Sequence, residues 1–296
     1  MKKAILPALI VIVFSLGWAL LSLTTTTVSQ IQPQILTLAT TTSTVDSGLL
    51  SELNPIFEEK FNAQVRVLSQ GTGAALRTAE NGDADVVLVH ARTAEDTFIE
   101  AGFGINRRDV MFNDFVIVGP ASDPAGVRDM VSAREAMSRI AETQSRFVSR
   151  GDQSGTHQKE QALWSQANID PQGNWYLSIG RGMGDTLQQS NELSAYTISD
   201  RGTWLALKDR LGLELLVEGP VKGGDPILLN PYGVIAINPA RHSNRNYELA
   251  MAYIGFLTSI EAQQIIDTFR INDEPLFFAD ALNEQPNFEQ YVPQSR

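Results

Sequence analysis

Phe147-Val148-Ser149-Arg150-Gly151-Asp152-Gln153-Ser154-Gly155-Thr156-His157 is a short apolar segment that runs into glycines, hydroxyls and one arginine. A helix-like run over residues 158–167 follows it. Glycine lets a backbone approach a ligand closely. The first N–H groups of a helix have no partner within it and carry partial positive charge. Together they form a seat for an anion. Arg150 adds a fixed cation with forked donors. Taken alone, the stretch reads equally well as an ordinary capped turn from strand to helix. Repetition tips the balance. Residues 35–40 form an apolar strand that ends at Thr41-Thr42-Ser43-Thr44, before apolar residues at helical spacing. Residues 64–69 enter Gln70-Gly71-Thr72-Gly73 before a short helix over 74–80. Residues 195–199 end at Asp200-Arg201-Gly202-Thr203.

Strands and helices that alternate in this way predict an α/β protein with a parallel sheet. Its ligands belong at the carboxyl ends of the strands. The long apolar stretches at 109–120 and 226–238 are read as strands that cross between two lobes. Lobe 1 is then 35–117 with 231–296, lobe 2 is 118–230, and the ligand cleft lies between them. Helices are expected over 92–103, 127–141, 247–257 and 259–269. Pro55 is expected to split or kink the helix after Thr44. The segment Gly180-Arg181-Gly182-Met183-Gly184 is read as flexible, and the tail from 274 as mostly irregular.

The chain of 296 residues is long enough for a leader and two lobes, and its net charge is −11. That balance does not suit a nucleic-acid binder, and no nucleic-acid partner is expected. The absence of cysteine excludes disulfides, thiolate nucleophiles and thiolate metal sites. Lys2 and Lys3 precede an uncharged run over 4–23. Residues 1–34 are therefore read as an export signal, cleaved near Ser29, or as a retained anchor. Their removal takes away two lysines and no acid, which leaves −13. The expected location is periplasmic or otherwise extracytoplasmic. Three scattered histidines do not make a metal site. Gly151-Asp152-Gln153-Ser154-Gly155 superficially resembles the glycine-flanked serine of hydrolases. His157 is too local to be the usual base. A serine hydrolase remains a remote alternative, and the expectation is a protein that is not an enzyme.

These residues also carry a family resemblance. Leu38-Ala39-Thr40-Thr41-Thr42-Ser43-Thr44, Gly71-Thr72-Gly73-Ala74-Ala75, Val87-Leu88-Val89-His90-Ala91, Met111-Phe112-Asn113-Asp114-Phe115, Ser149-Arg150-Gly151-Asp152 with Ser154-Gly155-Thr156-His157, and Tyr196-Thr197-Ile198-Ser199-Asp200-Arg201 occur in that order. Together they resemble the tungstate-binding component of Tup-type ABC importers. The resemblance implies a two-lobed type II periplasmic binding protein fold. It implies tungstate as the ligand, an ABC permease in the membrane as the partner, no cofactor, no metal held as a cation, and a monomer. The binding residues it implies are Thr41, Thr42, Ser43, Thr72, Arg150, Ser154 and Gly155, with Thr197, Tyr196 and His90 behind them. Gln153 departs from the small or acidic residue expected there. Tungstate is a dianion with no proton to donate, so its ideal site is all donors. Phosphate still carries a proton and favours one carboxylate acceptor. Arg150-Gly151-Asp152 with Ser154-Gly155-Thr156 also resembles the loop of phosphate importers. Asp152 is thus either an acceptor facing the ligand, or a salt-bridge partner of Arg150 and helix-start carboxylate. Molybdate and phosphate remain the alternative ligands.

Overall fold

A computed structural model describes residues 32–281, and the leader read over 1–34 lies almost wholly outside them. Strand β1 (Gln34–Thr41) sends Leu36 and Leu38 into one core and Ala39 into another, as the two-residue period of a strand requires. A short helix α1 (Thr42–Asp46) leads to α2 (Leu49–Phe61). Leu49, Leu50, Leu53 and Phe57 of α2 lie at helical spacing and pack on the Leu36 side. The expected break at Pro55 is displaced. Gly48, at φ 86°, separates the two helices, and α2 runs straight through Pro55. Pro55 and Ser51 are exposed, so water can take the carbonyl bond that the proline leaves unmade.

Strand β2 (Ala63–Gln70), α3 (Thr72–Glu80), β3 (Val86–Val89) and α4 (Arg92–Glu100) follow. Ala75, Leu76, Ala79 and Phe98 cover the Ala39 side of the sheet. Helices therefore lie on both faces, and β3 is apolar at every position. The long strand β4 (Gly104–Pro120) comes next, and β9 (Leu229–Ile237) and β10 (Phe278–Ala279) complete the order β10-β4-β9-β3-β1-β2. Among the described residues of this sheet, only β1 with β2 and β1 with β3 pair in parallel. The returning strand β9 is antiparallel to both β3 and β4, so the sheet is mixed rather than parallel. Phe278 and Ala279, in the tail read as irregular, pair with Phe112 and Met111.

Strand β4 serves two sets of partners. Residues 104–114 pair with β9, whereas Phe115 to Pro120 pair with β7 (Thr197–Asp200) and β8 (Leu213–Val217). Val110 and Met111 enter the Leu36 core, while Phe115, Val116, Ile117 and Val118 enter separate clusters beyond it. Asp114 lies at the changeover, opposite Leu229 where β9 begins. Its carboxylate accepts Arg201 Nε at 2.6 Å, Arg201 Nη2 at 2.9 Å and the Val221 N–H at 3.0 Å. Glu218 accepts a further bond from Arg201 Nη2 at 2.5 Å.

The far half holds α5 (Ala133–Glu142), β5 (Phe147–Ser149), α6 (Gly155–Gln166), β6 (Tyr176–Ser178), α7 (Met183–Leu193) and α8 (Arg201–Leu207). The helix expected from 127 starts only at Ala133, because Ser132 caps it by accepting the Glu135 N–H and Asp129 takes a left-handed φ of 59°. The pair Tyr247–Leu257 (α9) and Ile260–Thr268 (α10) closes the Leu36 core.

Candidate functional site

Five helix starts meet at one cleft of about 670 Å³. Thr42 and Ser43 open α1, Gly71 precedes α3, and Ser154 precedes α6. Gly182, Met183 and Gly184 open α7, while Asp200, Gly202 and Thr203 belong to the start of α8. Gly71 and Gly182 supply no side-chain cap, so the first N–H groups of α3 and α7 have no side-chain acceptor. Thr72 Oγ1 is buried and has no hydrogen-bond partner among the described residues. A buried orphan hydroxyl is uncommon and points to a missing acceptor.

The loop before α6 is fixed by its own residues. Gly151 has φ 66°, and a Cβ there would lie 2.0 Å from Ser178 Oγ, so only glycine fits. Arg150 Nε donates to Asp152 Oδ2 at 2.8 Å, and the Ser154 N–H donates to Asp152 Oδ1 at 3.1 Å. Ser154 caps α6 by accepting the His157 N–H, and His157 Nδ1 accepts the Gln153 N–H at 3.0 Å. Asp152 is thus both an ion-pair partner and a helix-start carboxylate, although it also borders the cleft. Among the described residues Arg150 is the one cation in the cleft lining, and it is largely buried. The only side-chain hydrogen bond of Arg150 among the described residues comes from Nε, which leaves the two terminal amino groups for a ligand. Asp200 also borders the cleft, with its carboxylate engaged by Thr203 N–H and Oγ1. Asp46 and Asp185 border it too and are exposed to solvent, which screens them.

A polar relay backs the cleft. Ser43 Oγ lies 3.3 Å from His90 Nε2, His90 Nδ1 lies 2.9 Å from Asn230 Oδ1, and Asn230 Nδ2 donates to Asn113 Oδ1 at 2.6 Å. His90 lies against Tyr232 with ring centres 4.6 Å apart. Burial is the main cause that lowers the His90 pKa below its ordinary value, so the ring is neutral near pH 7. A Cβ at Gly155 would lie 2.8 Å from His90 Cε1. Held by Tyr232 and Asn230, the ring has little room to retreat. Gly155→Ala is therefore expected to lower stability in urea unfolding by about 1–3 kcal/mol through overpacking. An unchanged midpoint would mean that the ring gives way freely.

Thr42, Ser43, Arg150 and Ser154 come together at the cleft. Thr41 and Gly155 stand just behind it. Thr41 Oγ1 caps α1 and contacts Thr44 Oγ1 at 2.6 Å, and Gly155 faces His90. Thr72 is next to the lining residue Gly71. Thr197 does not line the cleft, because its hydroxyl donates to the Val148 carbonyl at 2.8 Å. Tyr196 is remote as well, and its hydroxyl donates to Asp123. Sequence reasoning passed over the α7 start, Asn113 and Tyr232. The glycines around Met183 were the one available signal for α7.

Helices on both faces of a mixed sheet, a long strand that changes partners along its length and a cleft at helix starts define a substrate-binding protein of the periplasmic type II fold. Residues 24–261 match the PBP superfamily domain. A Haloferax volcanii protein with the provisional name ABC transporter anion-binding protein is 62% identical over 260 residues, 88% of this chain and 76% of that one. The tungstate-binding protein TupA of Peptoclostridium acidaminophilum is 47% identical over 237 residues, 78% of this chain and 80% of that one. The solved tungstate-binding protein TupA of Desulfovibrio alaskensis G20 superposes with a TM-score of 0.74 at 41% identity, covering 84% of this chain and 99% of that one. The chain belongs to the PBP superfamily and, within it, to the family of these TupA proteins.

Proposed function

We propose that this protein captures tungstate outside the cytoplasm and delivers it to the permease of an ABC importer. The observation that carries this reading is the convergence of uncapped helix starts, hydroxyls and Arg150 on one cleft. Such a set donates hydrogen bonds and asks none back, which suits a dianion without a proton. The relatives named for tungstate and for ABC-transporter anion binding support the ligand and the transporter partner. Those relatives are binding components, and this chain acts by binding rather than by catalysis.

The working arrangement is two lobes, 35–117 with 231–296 and 118–230, that close on the ligand about the shared strands. Thr41, Thr42, Ser43, Thr72, Arg150, Ser154 and Gly155 hold the anion directly or through their backbone. Thr197 supports the fold behind the loop. Residues 1–34 export the chain, and are cleaved or kept as an anchor. The receptor works as a monomer.

Tungstate ranks first, with molybdate next because it matches in shape and charge, and phosphate third. Asp152 is already engaged by Arg150 and the Ser154 N–H, so it is poorly placed to accept the proton of phosphate. Asp152→Asn is expected to leave tungstate binding within about threefold. A variant that loses tungstate and keeps phosphate would reverse the ligand order. The reading as a whole is tested by thermal unfolding with added anions. Tungstate should raise the midpoint in proportion to the logarithm of its concentration, and sulfate should not. Equal shifts with sulfate would defeat the assignment.

A further inference from the structure

His90 has a protonation pattern that its neighbours dictate. The Asn230 amide is oriented by two bonds from its NH2 group, to Asn113 Oδ1 at 2.6 Å and toward the Tyr232 hydroxyl at 3.4 Å. Its carbonyl oxygen therefore faces His90 Nδ1, which must carry a hydrogen. In a neutral ring Nε2 is then the acceptor, and the Ser43 hydroxyl 3.3 Å away is placed to donate to it. A serine has one hydroxyl hydrogen. While His90 is neutral and Ser43 donates to it, the serine turns only lone pairs toward the cleft that it lines. A tetrahedral dianion has no hydrogen to offer them. Protonated His90 reverses the relay. Its Nε2–H donates to Ser43 Oγ, and the serine hydrogen becomes free for the anion.

The surroundings allow this change. His90 is 8% exposed. Burial opposes its charged form, the Asn230 bond and the carboxylate of Asp200 favour it, and Arg150 opposes it. Of the other neighbours, Gly155 brings no charge, and Tyr232 lies tilted by 31° against the ring with its hydroxyl hydrogen-bonded to Ser43. Thr41 Oγ1 is a second partner for Ser43 at 3.1 Å, and it also accepts the Thr44 N–H and lies 2.6 Å from Thr44 Oγ1. The empty cleft therefore holds a neutral ring near pH 7. An incoming dianion supplies the missing attraction for a proton.

We infer that His90 is a positioning residue that sets the donor state of Ser43, so that a tungstate dianion and one proton enter the cleft together. This rests on the tungstate reading above. The proton comes from the buffer, ends on His90 Nε2, and is released with the anion. The sign follows from linkage. Binding raises the proton affinity of His90, so tungstate binds more tightly as pH falls. The gain is at most about tenfold per pH unit, between the titration point of the empty protein and the higher one of the complex.

The test is calorimetric titration of the purified protein with sodium tungstate at about pH 6, 7 and 8, each in two buffers of different ionisation enthalpy. The buffer dependence of the heat counts protons. Uptake approaching one proton per tungstate, with affinity falling as pH rises, is the expected result. His90→Gln can keep a side-chain donor but cannot titrate, so its uptake should vanish and its pH profile should flatten. Tungstate binding without proton uptake in the wild-type protein would overturn this inference alone. Uptake that persists in H90Q would overturn it too. No tungstate binding at any pH would overturn both this inference and the proposed function. Should H90Q not fold, the wild-type proton count decides.

Discussion

Arg150→Ala is expected to weaken tungstate binding by about 2 kcal/mol or more, roughly thirtyfold, in a calorimetric titration. Among the described residues Arg150 is the one cation lining the cleft, and its side chain is only 11% exposed. A bond from a buried guanidinium to an oxyanion is charge-assisted and poorly screened by water. Its removal has a second consequence. Asp152 loses the partner at 2.8 Å that neutralises it, and a bare carboxylate is left beside the incoming dianion. Arg150→Lys keeps the charge but not the fork, and Asp152 can capture the single ammonium, so its affinity should lie between the two. Unchanged affinity in Arg150→Ala would remove this residue from the site.

The second large effect concerns stability. Asp114→Ala is expected to cost about 3–5 kcal/mol in urea unfolding. Asp114 is fully buried at the point where β4 changes partners, and it takes three bonds, two of them from Arg201. Arg201 is itself 2% exposed, and Glu218, its other partner, is 40% exposed and cannot replace a buried counter-charge. Without Asp114, a guanidinium is stranded in the interior, and burial disfavours its charge. Arg201→Leu strands the carboxylate instead and should be comparable. The double variant Asp114→Leu, Arg201→Leu should recover much of the loss, because a matched apolar pair carries no desolvation penalty. A loss below about 1 kcal/mol in each single variant would show that the pair contributes nothing net.

What was legible in the sequence was the local chemistry. A strand that ends in Thr41-Thr42-Ser43, Gly71-Thr72 or Ser154-Gly155 announces a helix start, because capping is settled within a few residues. The span Tyr247–Leu257 was equally plain from its apolar run. What depended on distant partners was harder to read. Thr197 sits at the start of a strand with the right residue type, yet the Val148 carbonyl claims its hydroxyl. Which face a strand residue shows is fixed by its neighbours in the sheet. The α7 start was read as a flexible glycine segment because its contribution is backbone N–H, which leaves no side-chain signature. The mixed sheet has the same origin, since β9 joins only after the chain has built its far half.

The most direct measurement is calorimetric titration of anion-stripped protein with tungstate, molybdate, phosphate and sulfate at one pH and salt concentration. A cleft of helix starts and hydroxyls around one guanidinium predicts tight binding of tungstate at one site per chain, with molybdate nearest and phosphate and sulfate far weaker. Phosphate binding more tightly than tungstate, or heat from none of the four, would contradict it.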